Sequence, residues 1–220
     1  MSAEAVIAVA REELGYAENP PGSNRVKYWE TFGSEWQGQP WCVAFLAWCF
    51  RQAGENAAFF GGGLTASCGT LLRWYEAMMQ TVPPVMAHEV QPGDIVILNF
   101  HGTKDTEHCG IVESKGSGYI VTIEGNTGTG NQANGGMVCR KTRYPAQIVG
   151  ICRPKYKEEP MPKKDDLTGH WAEAACRKAE EKGVMKGYPD GSWAPDKTLT
   201  RAELTTVLDR LGLLEKEGAI

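Results

Sequence analysis

The seven cysteines of this 220-residue chain form no Cys-x-x-Cys pair and follow no regular spacing. That absence excludes a zinc-ribbon site and a disulfide framework, and fits synthesis in a reducing compartment. No stretch approaches the roughly 20 apolar residues that a membrane-spanning helix requires. Positive charge is not in excess: the net charge is −4, so nucleic acid is not an expected partner. No basic residue leads the apolar positions of Met1 to Glu13, and Glu4 comes early. That segment reads as an amphipathic helix rather than a signal peptide, so synthesis in the cytoplasm without a leader is the expectation. The Gly- and Asn-rich stretch 125–136 has no Lys and no helix after it, which excludes a phosphate loop. It reads as a loop flanking a cleft.

What is present is an ordinary globular composition, 42% hydrophobic and 23% charged, enough for one core and a smaller module. Residues 153–165 are rich in proline and charge and have no apolar periodicity, so they read as a linker. The expected division is a domain over 1–152, the linker over 153–165, a module over 166–214 and a tail over 215–220. Within the first domain, helices are expected over 3–14, 41–53 and 70–79. Strands are expected over 94–100, 109–113, 119–124, 137–144 and 148–152, with short Gly-containing connections. Helices followed by antiparallel strands give an α+β domain.

The most informative segment is Trp41-Cys42-Val43-Ala44-Phe45-Leu46-Ala47-Trp48-Cys49-Phe50. Its apolar residues cover nearly every face, so it reads as a helix buried in a core. A thiol in the first turn of that helix faces the positive end of the macrodipole, which favours the thiolate. His108 immediately precedes an apolar strand, and Glu124 and Asn126 end the next one. Neighbouring antiparallel strands can set His108 beside Glu124 or Asn126 at one sheet edge, with Cys42 presented from the helix. That supplies a nucleophile, a base and a group that orients the base. His101 and His88 read as loop histidines, and Cys49 and Cys109 as packing residues. Tyr28, Trp29, Trp36 and Trp41 either line a groove for substrate or pack in the core and cleft wall.

Pro40-Trp41-Cys42-Val43-Ala44-Phe45, His108-Cys109-Gly110-Ile111-Val112 and Glu124-Gly125-Asn126, in that order, resemble the signatures of CHAP domains, the cysteine- and histidine-dependent amidohydrolases/peptidases. The resemblance implies a papain-like fold that cleaves an amide bond of peptidoglycan, either N-acetylmuramoyl–L-alanine or an interpeptide link. Cys42 would be the nucleophile, His108 the base and Glu124 the orienting carboxylate, with Asn126 its companion. Trp41, Trp36 and Tyr28 would bind substrate. The backbone N–H of Cys42 would stabilise the oxyanion, joined by Gln37 or Gln39. Some family members carry calcium in an Asp-rich loop before the cysteine. Residues 26–41 contain no Asp, so no metal and no cofactor is expected.

The C-terminal module reads as a helix from about Leu167 to Lys182, a Tyr188-Pro189-Asp190-Gly191 turn, and a second helix opened by Thr200-Arg201-Ala202-Glu203. Thr at N-cap with Glu at N3 is a capping box. The pattern is similar to an S-layer homology motif, which implies docking onto wall polysaccharide. Arg201 and Trp193 are the candidate glycan contacts, with internal packing as the other reading. The family uses three copies around one axis, and one copy is found here. Leu204, Val207, Leu208 and Leu211 form a stripe that self-association, as a trimer or a dimer, would cover. Together these resemblances imply a wall hydrolase, and the expected lack of a leader points to a phage or prophage endolysin; a secreted autolysin, a peptidase acting on a non-wall amide, and a catalytically silent wall-anchored protein are the alternatives.

Overall fold

The computed structural model describes residues 2–157, 165–188 and 190–214. The chain forms two compact units that divide at about residue 158, and each is described by itself.

The first unit opens with α1, Ala3–Glu12, whose apolar stripe Val6, Ile7 and Ala10 is buried. Helix α2 spans Cys42–Gln52 and buries eight of its eleven residues; Gly54, at φ 71, lets the chain turn away from its end. Helix α3 spans Cys68–Ala77, with the Ser67 hydroxyl accepting from the Thr70 N–H at 3.2 Å as its N-cap. Six strands follow: β1 Thr81–Val82, β2 Ile95–Leu98, β3 His108–Lys115, β4 Ile120–Thr127, β5 Met137–Arg143 and β6 Ile148–Cys152. They form one antiparallel sheet in the order β1-β6-β2-β3-β4-β5. Helix α2 packs on β3 and β4. The α+β class and the helix-then-sheet order are as the sequence implies.

Two glycines explain how closely α2 and the sheet approach. A Cβ on Gly125 would lie 2.5 Å from the Phe45 Cβ and 2.8 Å from the Trp41 ring. A Cβ on Gly110 would lie 2.5 Å from the Glu124 Cγ. The first glycine admits the helix, and the second leaves room for a carboxylate between β3 and β4. Either alanine substitution would force backbone or Glu124 to move.

The expected linker begins too early. Arg153 reaches back to Asp94 with contacts of 3.0 and 2.9 Å. Tyr156 stacks on Phe50 at 5.7 Å and donates to the Gly93 carbonyl at 2.5 Å. The Lys157 N–H donates to Glu55 at 3.1 Å. Charge and proline made this stretch look unable to bury itself, yet its polar groups have specific partners in the first unit. Residues 158–164 of the expected linker and the whole 215–220 tail lie outside the described residues.

The second unit contains α4, Glu173–Glu181, and α5, Arg201–Arg210. The first of these starts six residues later than expected. Asp166 accepts from the Trp193 and Ala194 N–H groups at 2.7 Å each, tying the turn to the start of the unit. The capping box of α5 forms as read: the Glu203 N–H donates to Thr200 Oγ1 at 3.2 Å, and the Thr200 N–H to Glu203 Oε2 at 2.8 Å. Among the described residues, this unit buries only Leu167 fully, as expected of so short a segment.

Candidate active site

Helix α2 places Cys42 at its first residue, with only 5% of its surface exposed. Strand β3 begins at His108 and β4 carries Glu124; both side chains are fully buried. His108 Nε2 stands 3.1 Å from Glu124 Oε2, an ion-pair contact without the angle of a hydrogen bond. Cys42 adjoins the same imidazole. The three residue types picked from separate motifs therefore meet at one end of the helix–sheet interface.

Glu124 is held by a residue that the sequence did not single out. Arg143, from the end of β5 and 2% exposed, donates from Nε to Glu124 Oε1 at 2.7 Å and from Nη2 to Oε2 at 2.5 Å. The Thr122 hydroxyl donates to Oε1 at 2.5 Å. Arg143 also bonds Gln132 and lies over the Phe100 ring at 4.7 Å. A bidentate, planar clamp of this kind is what arginine supplies and lysine does not. Burial alone would raise the Glu124 pKa, but Arg143 and His108 overcome it and hold it at about 2. Burial pushes His108 down, yet Cys42 and Glu124 raise it to about 9.

Two further thiols converge on Cys42. Its Sγ lies 3.8 Å from that of Cys68, and the Cys42, Cys68 and Cys109 sulfurs all lie within 4.8 Å of one another. Hydrogen bonds from Cys109 and Cys68, together with His108, set the Cys42 pKa well below that of an ordinary thiol. Burial and the neighbouring Cys42 hold Cys109 well above it. These neighbours favour the Cys42 thiolate and the His108 imidazolium together.

Other expected site residues stand elsewhere. Asn126 takes φ 59, donates from Nδ2 to Asn134 Oδ1 at 2.8 Å and accepts from the Gly136 N–H at 3.2 Å. Its amide fastens the 128–136 loop rather than the imidazole, so its pairing with the triad is corrected. Trp41 and Tyr28 are corrected as substrate contacts because neither has exposed surface. Tyr28 packs on Trp41, Phe45 and Trp48 and donates to Glu13 at 2.7 Å, and Trp29 is equally buried. Trp36, 39% exposed, does line a groove of about 530 Å³ with Phe32, Gln39, Pro40, Leu64 and Ser67. Of its lining residues, Pro40 stands two residues before Cys42 and Ser67 one residue before Cys68. The Gln37 amide is engaged with both backbone groups of Val26, at 3.1 and 2.9 Å. Gln39 is exposed and lines the groove. His101 bonds Glu107 in an exposed loop, Cys49 is a core residue, and His88 is exposed, as the sequence implied.

In the second unit Trp193 lines two grooves of about 340 and 290 Å³, both of which include Tyr188 and Lys186. Its indole N–H is buried without a partner among the described residues. Arg201 is exposed in the first turn of α5 and lines neither groove.

Residues 34–126 match the CHAP domain family, and residues 165–205 match the S-layer homology domain family. The chain carries a CHAP domain followed by an S-layer homology domain. The CHAP match takes in Cys42, His108, Glu124 and Asn126 but stops before Arg143. Two proteins of Acetivibrio thermocellus are similar over short stretches. Cell surface glycoprotein 1 is 38% identical over 63 residues, covering 29% of this chain and 3% of that protein. A cellulosome-anchoring protein is 44% identical over 57 residues, covering 24% of this chain and 13% of its own length. The chain therefore spans a small fraction of either relative. Among solved structures, the crystal structure of Ly7917 aligns at TM-score 0.43 and 18% identity over 70% of this chain and 63% of that one. The crystal structure of Ly7917 with the hydrolysing product of MDP aligns at 0.45 and 18% over the same shares.

Proposed function

We propose that the CHAP domain cleaves an amide bond in the peptide part of peptidoglycan through Cys42, and that the S-layer homology domain holds the chain on wall polysaccharide. The observation that carries this reading is the buried Cys42–His108–Glu124–Arg143 chain at the start of α2. The Cys42 thiolate attacks the carbonyl carbon. The Cys42 backbone N–H, at the start of α2 and free of any intrahelical acceptor, stabilises the oxyanion, with the Gln39 amide as a second donor. Protonated His108 gives its proton to the leaving amine, and the amine departs to leave a thioester. His108, now neutral, takes a proton from water as it attacks the thioester, and Cys42 leaves as thiolate. Glu124, fixed by Arg143 and Thr122, keeps the ring oriented and stabilises its charge.

Docking on polysaccharide is supported by the family match of the second unit and by the anchoring role in the name of one relative. Trp193, an aromatic groove residue with an unused N–H donor, is the glycan contact we favour. Leu204 and Leu211 on α5 are 47% and 49% exposed, consistent with a face that a second copy covers. Incubating the full chain with purified walls, followed by mass spectrometry of the soluble fragments, tests the activity and identifies the bond. New amino termini on stem or bridge peptides support the reading; glycan fragments without them overturn it.

A further inference from the structure

The three-thiol cluster around Cys42 does more than the proposed reaction needs. Nucleophilic attack uses one sulfur, yet three sit within 4.8 Å of one another in a buried pocket. In a tetrahedral thiolate site with metal–sulfur bonds of about 2.3 Å, neighbouring sulfurs are about 3.8 Å apart, by the edge of the tetrahedron. The Cys42–Cys68 separation is 3.8 Å. The cluster draws one sulfur from the start of α2, one from the start of α3 and one from β3. All three elements belong to the rigid core, so the triangle is preorganised. Cys68 and Cys42 keep 7% and 5% of their surface exposed, so the cluster is not wholly sealed from solvent.

We propose that Cys42, Cys68 and Cys109 form a binding site for a thiophilic divalent cation of the zinc type, whose occupancy reversibly silences the nucleophile. Soft sulfur donors select such ions over calcium or magnesium. Three protein ligands leave the fourth position to water or an incoming ligand. Binding takes all three sulfurs as thiolates, so any thiol protons leave to solvent as the cation enters. A metal-bound sulfur has its lone pair engaged and cannot attack a carbonyl. The inhibitory half of the proposal rests on Cys42 being the nucleophile; the binding half does not.

The full chain, reduced and stripped of metal, is titrated with Co²⁺ and then Zn²⁺ while absorption and wall lysis are followed in parallel. One Co²⁺ per chain should give thiolate-to-metal charge transfer and the intense visible bands of tetrahedral cobalt, which Zn²⁺ then abolishes. Cys68→Ala and Cys109→Ala should each weaken binding at least tenfold and raise by a similar factor the Zn²⁺ needed to stop lysis. If Cys109→Ala fails to fold, Cys68→Ala at the helix start decides alone. Faint octahedral spectra, or equal binding by native and Cys68→Ala chains, would overturn the site. Stoichiometric thiolate-bound zinc with undiminished lysis would instead remove Cys42 as nucleophile. A native chain that binds no metal, with lysis lost in Cys42→Ala, would do the reverse: it would overturn the site and leave Cys42 as nucleophile.

Discussion

Replacing Arg143 with Met removes the only cation, among the described residues, bonded to Glu124 besides the imidazole. The carboxylate stays, fully buried, having lost two charge-assisted hydrogen bonds of 2.7 and 2.5 Å. Leaving one member of a buried pair unpaired costs about 3–5 kcal/mol. In a unit of this size each kcal/mol lowers the midpoint by about 2–4 °C, so the unit should melt roughly 10 °C lower. The cost should depend on pH in a fixed sense. In the native chain Glu124 sits at about 2, so its contribution is full above the ordinary carboxylate value and is lost as pH falls through about 2. In Arg143→Met, burial is left to raise the pKa, and acid relieves the unpaired charge, so the gap between variant and native midpoints narrows as pH falls. Adding Glu124→Leu should restore most of the midpoint while wall cleavage stays lost, because the imidazole then has no carboxylate to orient it. Scanning calorimetry of the three proteins across pH, with turbidity clearing of walls, reads all of this. An Arg143→Met chain with unchanged midpoint and activity, or a double variant less stable than the single one, would refute the clamp.

Further outcomes follow from the same geometry. His108→Ala should lower turnover by about three to four orders of magnitude, as expected when a triad member is removed, whereas His101→Ala in its exposed loop should leave turnover within about twofold; equal losses would mean that the imidazole at the site is misassigned. Since Cys42 and Glu124 raise His108 from 6.5 to about 9, the imidazolium persists through neutral pH and is lost as pH rises through about 9, so initial rates of wall cleavage should fall on an alkaline limb near pH 9; a limb near pH 6.5 would contradict the pairing with Cys42 and Glu124. A fragment ending at Lys157, which keeps the Arg153 and Tyr156 contacts, should fold and cleave soluble muropeptides but sediment less with whole walls than the full chain; equal sedimentation would remove the anchoring role of the second unit. Light scattering of the full chain at micromolar concentration should give a mass above the monomer, and a monomer would leave the exposed α5 leucines without a second copy.

The fold was legible wherever one physical signal dominated. An apolar run of helix length gave α2 and the Thr200 capping box the start of α5, whereas α3 begins at Cys68 behind a Ser67 cap, two residues before the expected start at 70. The strands were legible as short apolar runs with Gly-containing connections, although the two-residue β1 was too short to show. The meeting of Cys42, His108 and Glu124 was legible because each borders an apolar run in the sequence, although β4 continues past Glu124 to Thr127. Arg143 was not, because nothing in the spacing of Met137–Arg143 sets it apart from Arg140 or Lys141; only the fold reveals that it points inward while Arg140 pairs with Glu113 at the surface. The roles of Trp41 and Tyr28 were ambiguous for a similar reason. An aromatic residue near a nucleophile can wall the cleft or hold the core beneath it, and only burial separates the two. Cys68 and Cys109 lie 26 and 67 residues from Cys42, and their convergence depends on tertiary packing that no spacing encodes.

The central claim is that the Cys42 sulfur carries out the cleavage. The most direct test is release of new amino groups from purified peptidoglycan by the native chain and by Cys42→Ala, with Cys49→Ala as a buried-cysteine control and circular dichroism to establish folding. Cys42→Ala should be folded and inactive, while Cys49→Ala should be active and somewhat less stable. A folded Cys42→Ala that still releases amino groups at the native rate would contradict the account.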